Sequence, residues 1–237
     1  MAIYSKGCNM PKYDFILFDA DRTLFDYDKA EYEALKAVMQ ANGVDFSDEL
    51  LKAYRVINRS LWDDFEKGLA TRRHVQVARF EKLFERFNIK RDAVQTAEDF
   101  MSQLSLGSYL LDGAEAVCKK LSEQCRLYIV TNGSHNTQKA RISNSAVSGY
   151  IADVFVSEGT GSQKPHIQYF NYVFERIKGF DKSRAVIVGD SLEADIKGGN
   201  NAGIDTCWYN PTREKNTTNA VCNYEINALE QLYEIIA

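Results

Sequence analysis

Two rhythms of apolar and polar positions run along the chain. Short unbroken apolar runs, such as Phe-Ile-Leu-Phe and Val-Ile-Val, end in polar or turn residues at 13–19, 127–131, 154–157, 185–190 and 206–209. Runs without alternation predict strands buried on both faces, as in a parallel sheet. Between them lie helical patterns. Ile167, Phe170, Phe174 and Ile177 recur at helical spacing behind Pro165, a residue suited to a helix start. A further helix is predicted over 192–197, stopping at Gly198-Gly199. The strand–helix alternation argues for a doubly wound α/β domain.

From about residue 27 to 107 the alternation breaks. A helical pattern over 27–41 ends at Asn42-Gly43, a usual helix stop. Ser47 is placed to cap a second helix whose stripe is Leu50, Tyr54, Ile57, Leu61 and Phe65, ending near Gly68. Thr71 is placed to cap a third, with Val75, Ala78, Leu83 and Phe87 on one side, and a fourth amphipathic run covers 92–104. This is far more helix than one crossover between strands requires. It predicts a helical unit over 27–107 inserted into an α/β core formed by 1–26 and 108–237. Such an insert would sit over the C-terminal end of the first strand as a lid, because open parallel sheets bind ligands at that end. No internal repeat is visible. Only the N-terminal dozen residues and the polar stretch 211–219 read as flexible.

Composition narrows the function class. Apolar residues are 45% of the 237 and charged residues 26%, an ordinary globular balance. A net charge of -4 with interspersed lysines, arginines and acids gives no electrostatic footprint for nucleic acid. The start, MAIYSKGCNMPKYD, lacks the apolar core of a secretory signal, and no segment is long and apolar enough to span a membrane. The five cysteines (Cys8, Cys118, Cys125, Cys207, Cys222) are widely spaced with no Cys-x-x-Cys pair, which reads as free thiols in a reducing compartment. The expected location is the cytoplasm, where the Asn-x-Ser/Thr sequons at Asn58, Asn132 and Asn216 carry no meaning.

The chemistry gathers at strand ends. The first run ends in Phe-Asp-Ala-Asp with Asp19 and Asp21, the second at Thr131-Asn132, and a later one at Gly189-Asp190. If these strands are parallel neighbours, their polar ends converge on one edge. Carboxylates brought together there repel unless a shared proton, a cation or a lysine intervenes. Hard Mg2+ suits an all-oxygen set, and Lys164 is a candidate point charge beside it. Taken singly, each residue has an ordinary reading. Asp26, Asp28 and Ser191 suit turns or helix caps, Asp195 a solvated helix position, and Thr131-Asn132-Gly133 a turn. The conjunction of three strand ends favours a metal-and-phosphate site. Rival motifs fail: the stretch from Gly159 to Lys164 has the wrong glycine spacing for a phosphate loop, and Pro165 replaces its Ser/Thr. No Gly-x-Ser-x-Gly elbow occurs. His74, His135 and His166 are far apart and suit surface or helix-terminal positions.

In these motifs the sequence resembles the haloacid dehalogenase superfamily of phosphohydrolases. Asp19-Ala20-Asp21-Arg22-Thr23 matches its Asp-x-Asp-x-Thr motif, and Thr131-Asn132-Gly133 its second motif. Lys164 matches the third, and Gly189-Asp190-Ser191-Leu192-Glu193-Ala194-Asp195 the fourth. A closer resemblance is to the superfamily's bacterial pyrimidine 5′-nucleotidases, house-cleaning nucleoside monophosphate phosphatases. It rests on FDADRTLFDYD, LWDDFEKGLATRRHVQVARFEKLFERFNI, ADVFVSEGTGSQKP and TCWYN.

The resemblance implies a Rossmann-like parallel-sheet core with an inserted all-helical, C1-type cap. It implies Mg2+ held by Asp19, the backbone carbonyl of Asp21, and Asp190. Asp19 would be the nucleophile, forming an aspartyl-phosphate. Asp21 would be the acid and then the base, its proton retained near neutral pH by nearby negative charge. Thr131 and the Asn132 amide would grip the phosphoryl oxygens, Lys164 would balance their charge, and Asp195 would orient Lys164 or the metal shell.

The implied substrate is a small phosphorylated metabolite, a pyrimidine nucleoside monophosphate first. A phosphosugar phosphatase or phosphomutase on the same core, a 2-haloacid dehalogenase, and a non-catalytic module stay open as alternatives. Asp21 argues against the dehalogenase, whose relatives lack a second acid there. Phe25, Tyr27, Trp62 and Phe65 are candidates to stack on a base or to fill the insert's own core. Arg22, where the family commonly has glycine or an acid, either points into solvent or pairs with an acid on the closed insert. Nothing in the sequence speaks to oligomeric state.

Overall fold

The computed structural model describes residues 11–236. The flexible reading of 1–10 and the thiol of Cys8 lie outside them. Phe15–Phe18 forms β1, and four helices follow it: α1 (Tyr27–Ala41), α2 (Asp48–Glu66), α3 (Arg72–Phe87) and α4 (Ala93–Leu104). The chain then continues through α5 (Ala114–Ser122), β2 (Arg126–Thr131), α6 (His135–Ser143), β3 (Ile151–Val156), α7 (Ile167–Arg176) and β4 (Ala185–Gly189). It ends with α8 (Lys197–Ala202), β5 (Asp205–Tyr209), β6 (Tyr224–Ile226) and α9 (Leu232–Ile236).

The strands form one sheet in the order β3-β2-β1-β4-β5-β6, and every neighbouring pair is parallel. Alternate residues of β1 explain the two covered faces. Ile16 and Phe18 pack into one cluster with Val117 of α5 and Leu232 of α9, whereas Phe15 and Leu17 pack into another with Phe170 of α7. All four are at most 1% exposed. Burying each contributes about 1.5–3 kcal/mol, so β1 is pinned from both sides. The chain steps outward from β1 to β2 and β3, then crosses back to β4 on β1's other flank. The order therefore reverses between β1 and β4, and the crevice at their carboxyl ends is where an open α/β sheet binds ligands.

The four helices α1–α4 begin within a residue of the patterns read from the sequence. Asp26, Ser47, Thr71 and Asp92 each accept a hydrogen bond from a first-turn amide, at Lys29, Leu50, His74 and Val94. Leu35, Tyr54, Phe80 and Phe100, one from each, knit the four helices into an apolar cluster separate from those of the sheet.

The sequence reading does not include α5, α6, β6 or α9, and it places three other stretches differently. The helix behind Ser191 does not stop at Gly198-Gly199; a π-helical turn at Leu192–Ile196 runs directly into α8, which ends at Gly203. The two glycines are there for close packing, since a Cβ would come within 2.7 Å of Phe170 at Gly198 and 2.5 Å of Thr206 at Gly199. β3 starts at Ile151, three residues before the predicted run, with Asp153 inside it. The stretch 211–219 is a loop tied down by Asn210, whose Nδ2 donates to the Glu214 carbonyl, and by Asn216, which donates to the Ala220 carbonyl. At the other end, the Lys12 amide donates to the Ile236 carbonyl. Cys118, Cys125, Cys207 and Cys222 are free thiols.

Candidate active site

Parallel register brings the polar strand ends together. Phe18 pairs with Val188 and with Ile129, so Asp19, Gly189-Asp190 and Thr131 emerge side by side. The Asp19 amide donates to the Val188 carbonyl, and the Trp208 indole donates to the Asp190 carbonyl, which holds that backbone in place.

Lys164 lies at the centre. Its ammonium donates to Asp19 Oδ1 at 2.6 Å, Asp195 Oδ1 at 2.7 Å and the Val130 carbonyl at 2.7 Å. All three donors are used, and the side chain is buried. Burial works against this ammonium, yet Asp19 and Asp195 outweigh it and hold it above the ordinary lysine range. Asp195 Oδ2 accepts from the Ser191 amide, so Asp195 is a buried anchor and not a solvated helix residue. Its carboxylate fits only because residue 189 lacks a side chain: a Cβ there would come within 2.2 Å of it.

Asp19, Asp190 and Asp195 each offer a carboxylate oxygen within 4.8 Å of the others. Burial pushes Asp19 up to about 7 against the pull of Lys164, with Asp195 and Asp21 adding to the rise. Burial, then Asp19 and Asp195, likewise raise Asp190 well above the ordinary carboxylate range. One lysine does not neutralise three acids. This all-oxygen set with excess negative charge fits a hard divalent cation.

Asp21 stands apart from that cluster. Its Oδ2 accepts from Gln138 at 2.6 Å, and its Oδ1 accepts from Arg141, which is buried. The sequence reading surrounds Asp21 with negative charge; the structure sets a guanidinium against it. The reason is that α6, which no sequence pattern announced, turns its Gln138–Arg141 face toward the end of β1. Gln138 also donates to Thr131 Oγ1 at 3.1 Å, which links the first two strand ends. Asn132 uses its side chain to clasp the Lys164 backbone, with Nδ2 donating to the Lys164 carbonyl and Oδ1 accepting from the Lys164 amide, both at 3.0 Å.

The helical insert closes over this edge. Arg72, in the first turn of α3, donates to the Asn132 carbonyl at 3.2 Å and to Ser157 Oγ at 2.6 Å. Gln76 donates to Ser134 Oγ, and Gln163 to the Phe65 carbonyl at the end of α2. Between insert and sheet lies a cavity of about 40 Å³ bordered by Asp21, Tyr27, Trp62, Gln76, Gln138 and Arg141. Of the four candidate aromatics, Tyr27 and Trp62 border it, whereas Phe25 and Phe65 are core residues. A larger groove of about 530 Å³ opens at the start of β5, the opposite end of the sheet, and holds none of this chemistry. Glu66 faces the acid cluster from the insert; burial, then Asp195, Asp63 and Asp19, push it up to about 8. Gln138, Arg141, Arg72 and Glu66 were invisible in the sequence, because a lone polar residue on a helix looks the same whether it is solvated or buried.

Arg22 settles one open question. Its backbone is left-handed (φ 64°), which explains a family preference for glycine there, and its guanidinium binds Asp28 of α1 at 2.9 Å. The pair links the Asp19–Asp21 loop to the insert. His135 and His166 sit at helix starts and His74 on the surface, away from the acid cluster.

Known proteins are similar to this chain in sequence and fold. The family model described as "Haloacid dehalogenase-like hydrolase" matches residues 16–209. The HAD-hydrolase YfnB of Bacillus subtilis is 41% identical over 96% of this chain and 97% of its own. Its crystal structure, bound to magnesium and described as revealing interdomain movement, superposes with a TM-score of 0.91 at 42% identity, covering 94% of this chain and 98% of that one. The pyrimidine 5′-nucleotidase PynA of Streptococcus pneumoniae is 36% identical over 94% of this chain and 95% of its own. The pyrimidine 5′-nucleotidase YjjG of Escherichia coli is 31% identical over 95% and 98%. By its fold, its strand-end acids and these relatives, the chain belongs to the haloacid dehalogenase-like hydrolase family.

Proposed function

We propose that the protein is a Mg2+-dependent phosphomonoester hydrolase, most specifically a 5′-nucleotidase of pyrimidine nucleoside monophosphates. The observation that carries the chemistry is the buried Asp19 carboxylate at the strand-order reversal, held by Lys164 at 2.6 Å beside Asp190. The substrate rests on the two nucleotidase relatives, PynA and YjjG, matched over nearly the whole chain.

Asp19 Oδ2, the oxygen not bonded to Lys164, would attack phosphorus and form an aspartyl-phosphate. Asp19, Asp190 and the Asp21 carbonyl would hold Mg2+, which when bound supplies charge neutralisation for the carboxylate and phosphoryl oxygens. Thr131 Oγ1, the Asn132 amide and Lys164 would grip the phosphoryl group. Asp21, oriented by Gln138 and Arg141, would take the proton of the water that releases phosphate and give that proton to the leaving alkoxide of the next turnover. Asp195 would keep Lys164 in position.

Residues 27–107 would act as the cap, over a catalytic core of 1–26 and 108–237. A cavity of about 40 Å³ is far smaller than the roughly 300–1,000 Å³ of pockets that take small molecules, so substrate entry requires the cap to lift. The interdomain movement described for YfnB supports such a motion. The free thiols support a reducing, cytoplasmic location, and no described helix is long and apolar enough to cross a membrane.

The test is a panel of phosphate monoesters with and without Mg2+, run alongside Asp19→Asn. Metal-dependent phosphate release that is greatest on dTMP or UMP, and abolished by Asp19→Asn, is the expected result. Release surviving Asp19→Asn would end the mechanism, and sugar phosphates well ahead of the nucleotides would end the substrate assignment.

A further inference from the structure

Arg141 is buried at the centre of the molecule, and its guanidinium is unevenly used. Nε donates to the Gly107 carbonyl at 2.8 Å; Nη1 donates to Asp21 Oδ1 and, at 3.3 Å, to Gln138 Oε1. Nη2 is buried with no partner at all. A buried N–H group without an acceptor is unfavourable, so such groups in a polar pocket point to a ligand. Arg141 borders the cavity between core and cap, as does Asp21. Phe25 and Tyr27 lie beside the guanidinium, with ring centroids at 5.3 and 5.9 Å.

We propose that Arg141 binds the leaving group: one arm positions Asp21, and the free Nη2 donates to an acceptor oxygen of the departing alcohol. The inference rests on the phosphohydrolase reading, in which Asp21 meets the ester oxygen. Because both arms belong to one rigid planar fork, the second oxygen must lie within a few bonds of the ester oxygen. A pentose ring meets that condition and a plain alkyl chain does not. The preferred substrate class is thus a sugar-type alcohol such as the ribose or deoxyribose of a nucleotide. Arg141 sits on α6 of the core, so this donor stays beside Asp21 when the cap lifts. Gln76 on α3, also at the cavity, moves with the cap.

The experiment compares kcat/KM for dTMP with that for n-pentyl phosphate, a monoester of similar reach with no acceptor oxygen. It uses wild type, Arg141→Lys and Arg141→Gln, each checked for a cooperative melt. Lysine can keep the charge beside Asp21 but lacks the second arm. A dTMP preference that falls about 10–100-fold in a folded variant, the worth of one charge-assisted hydrogen bond, supports the assignment. A preference that stays within about threefold, even where both rates fall together, overturns it, because Arg141 then acts through Asp21 or the fold alone. If wild type prefers a sugar phosphate over dTMP, the nucleotide assignment fails separately. The same ratio, taken with that sugar phosphate, then decides on Arg141.

Discussion

Arg22 shows how a single position balances opposing small terms. A non-glycine residue at φ 64° carries about 1–2 kcal/mol of strain. Against this stand its half-exposed pair with Asp28, about 0.2–1 kcal/mol, and the Tyr27 ring 4.8 Å from its guanidinium, about 0.5–1 kcal/mol. Arg22→Gly should therefore unfold in urea within about 1 kcal/mol of wild type. Arg22→Glu keeps the strain and sets like charges side by side. It should lose about 1–2 kcal/mol and show altered kcat or KM through a loosened cap. An Arg22→Glu enzyme with wild-type stability and kinetics would mean the pair does nothing. The sequence flagged this position as anomalous; only the backbone angle and the Asp28 contact say why.

Among the elements, α3 decides how the helical insert meets the sheet. Its first turn, capped by Thr71, delivers Arg72 to the ends of both β2 and β3, at Asn132 and Ser157. Arg72 is largely desolvated there, and burial lowers it from the ordinary arginine range, with Glu158 as a partial counterweight at 3.9 Å. Arg72→Ala should leave the sheet intact but raise KM for the phosphoester substrate by about 10-fold, since hydrogen bonds to charged groups contribute roughly 1.5–3 kcal/mol. Faster hydrogen exchange should appear along α2 and α3. Unchanged KM and exchange would show that the latch is incidental. α6 illustrates the opposite lesson: its buried Gln138 and Arg141 face polar strand ends, so it lacks the apolar stripe by which helices are read from sequence.

Over the whole molecule, the parallel sheet collects more negative charge at one edge than its own cations neutralise. Mg2+ should bind the folded state alone and raise its melting temperature with concentration. Asp190→Asn removes one acid of the cluster, so it should melt as high as wild type or higher without metal and lose most of the Mg2+ shift. An Asp190→Asn protein with the full shift would place the metal elsewhere.

What the sequence by itself determined was everything encoded in local pattern. The apolar runs marked five of the sheet's six strands and left out β6; Ser47 and Thr71 marked where two of the inserted helices begin, and the motifs singled out Asp19, Asp21, Thr131, Asn132, Lys164, Asp190 and Asp195. These are readable because strand burial, helix capping and motif spacing depend on residues near one another in the chain. The tertiary structure alone decided which charges meet. It set Lys164 between Asp19 and Asp195, gave Asp21 a buried guanidinium in place of a like charge, and let α8 run through two glycines to reach Phe170 and Thr206. Those outcomes join residues distant in sequence, and the field at each site is the sum over all of them. No local pattern carries that sum.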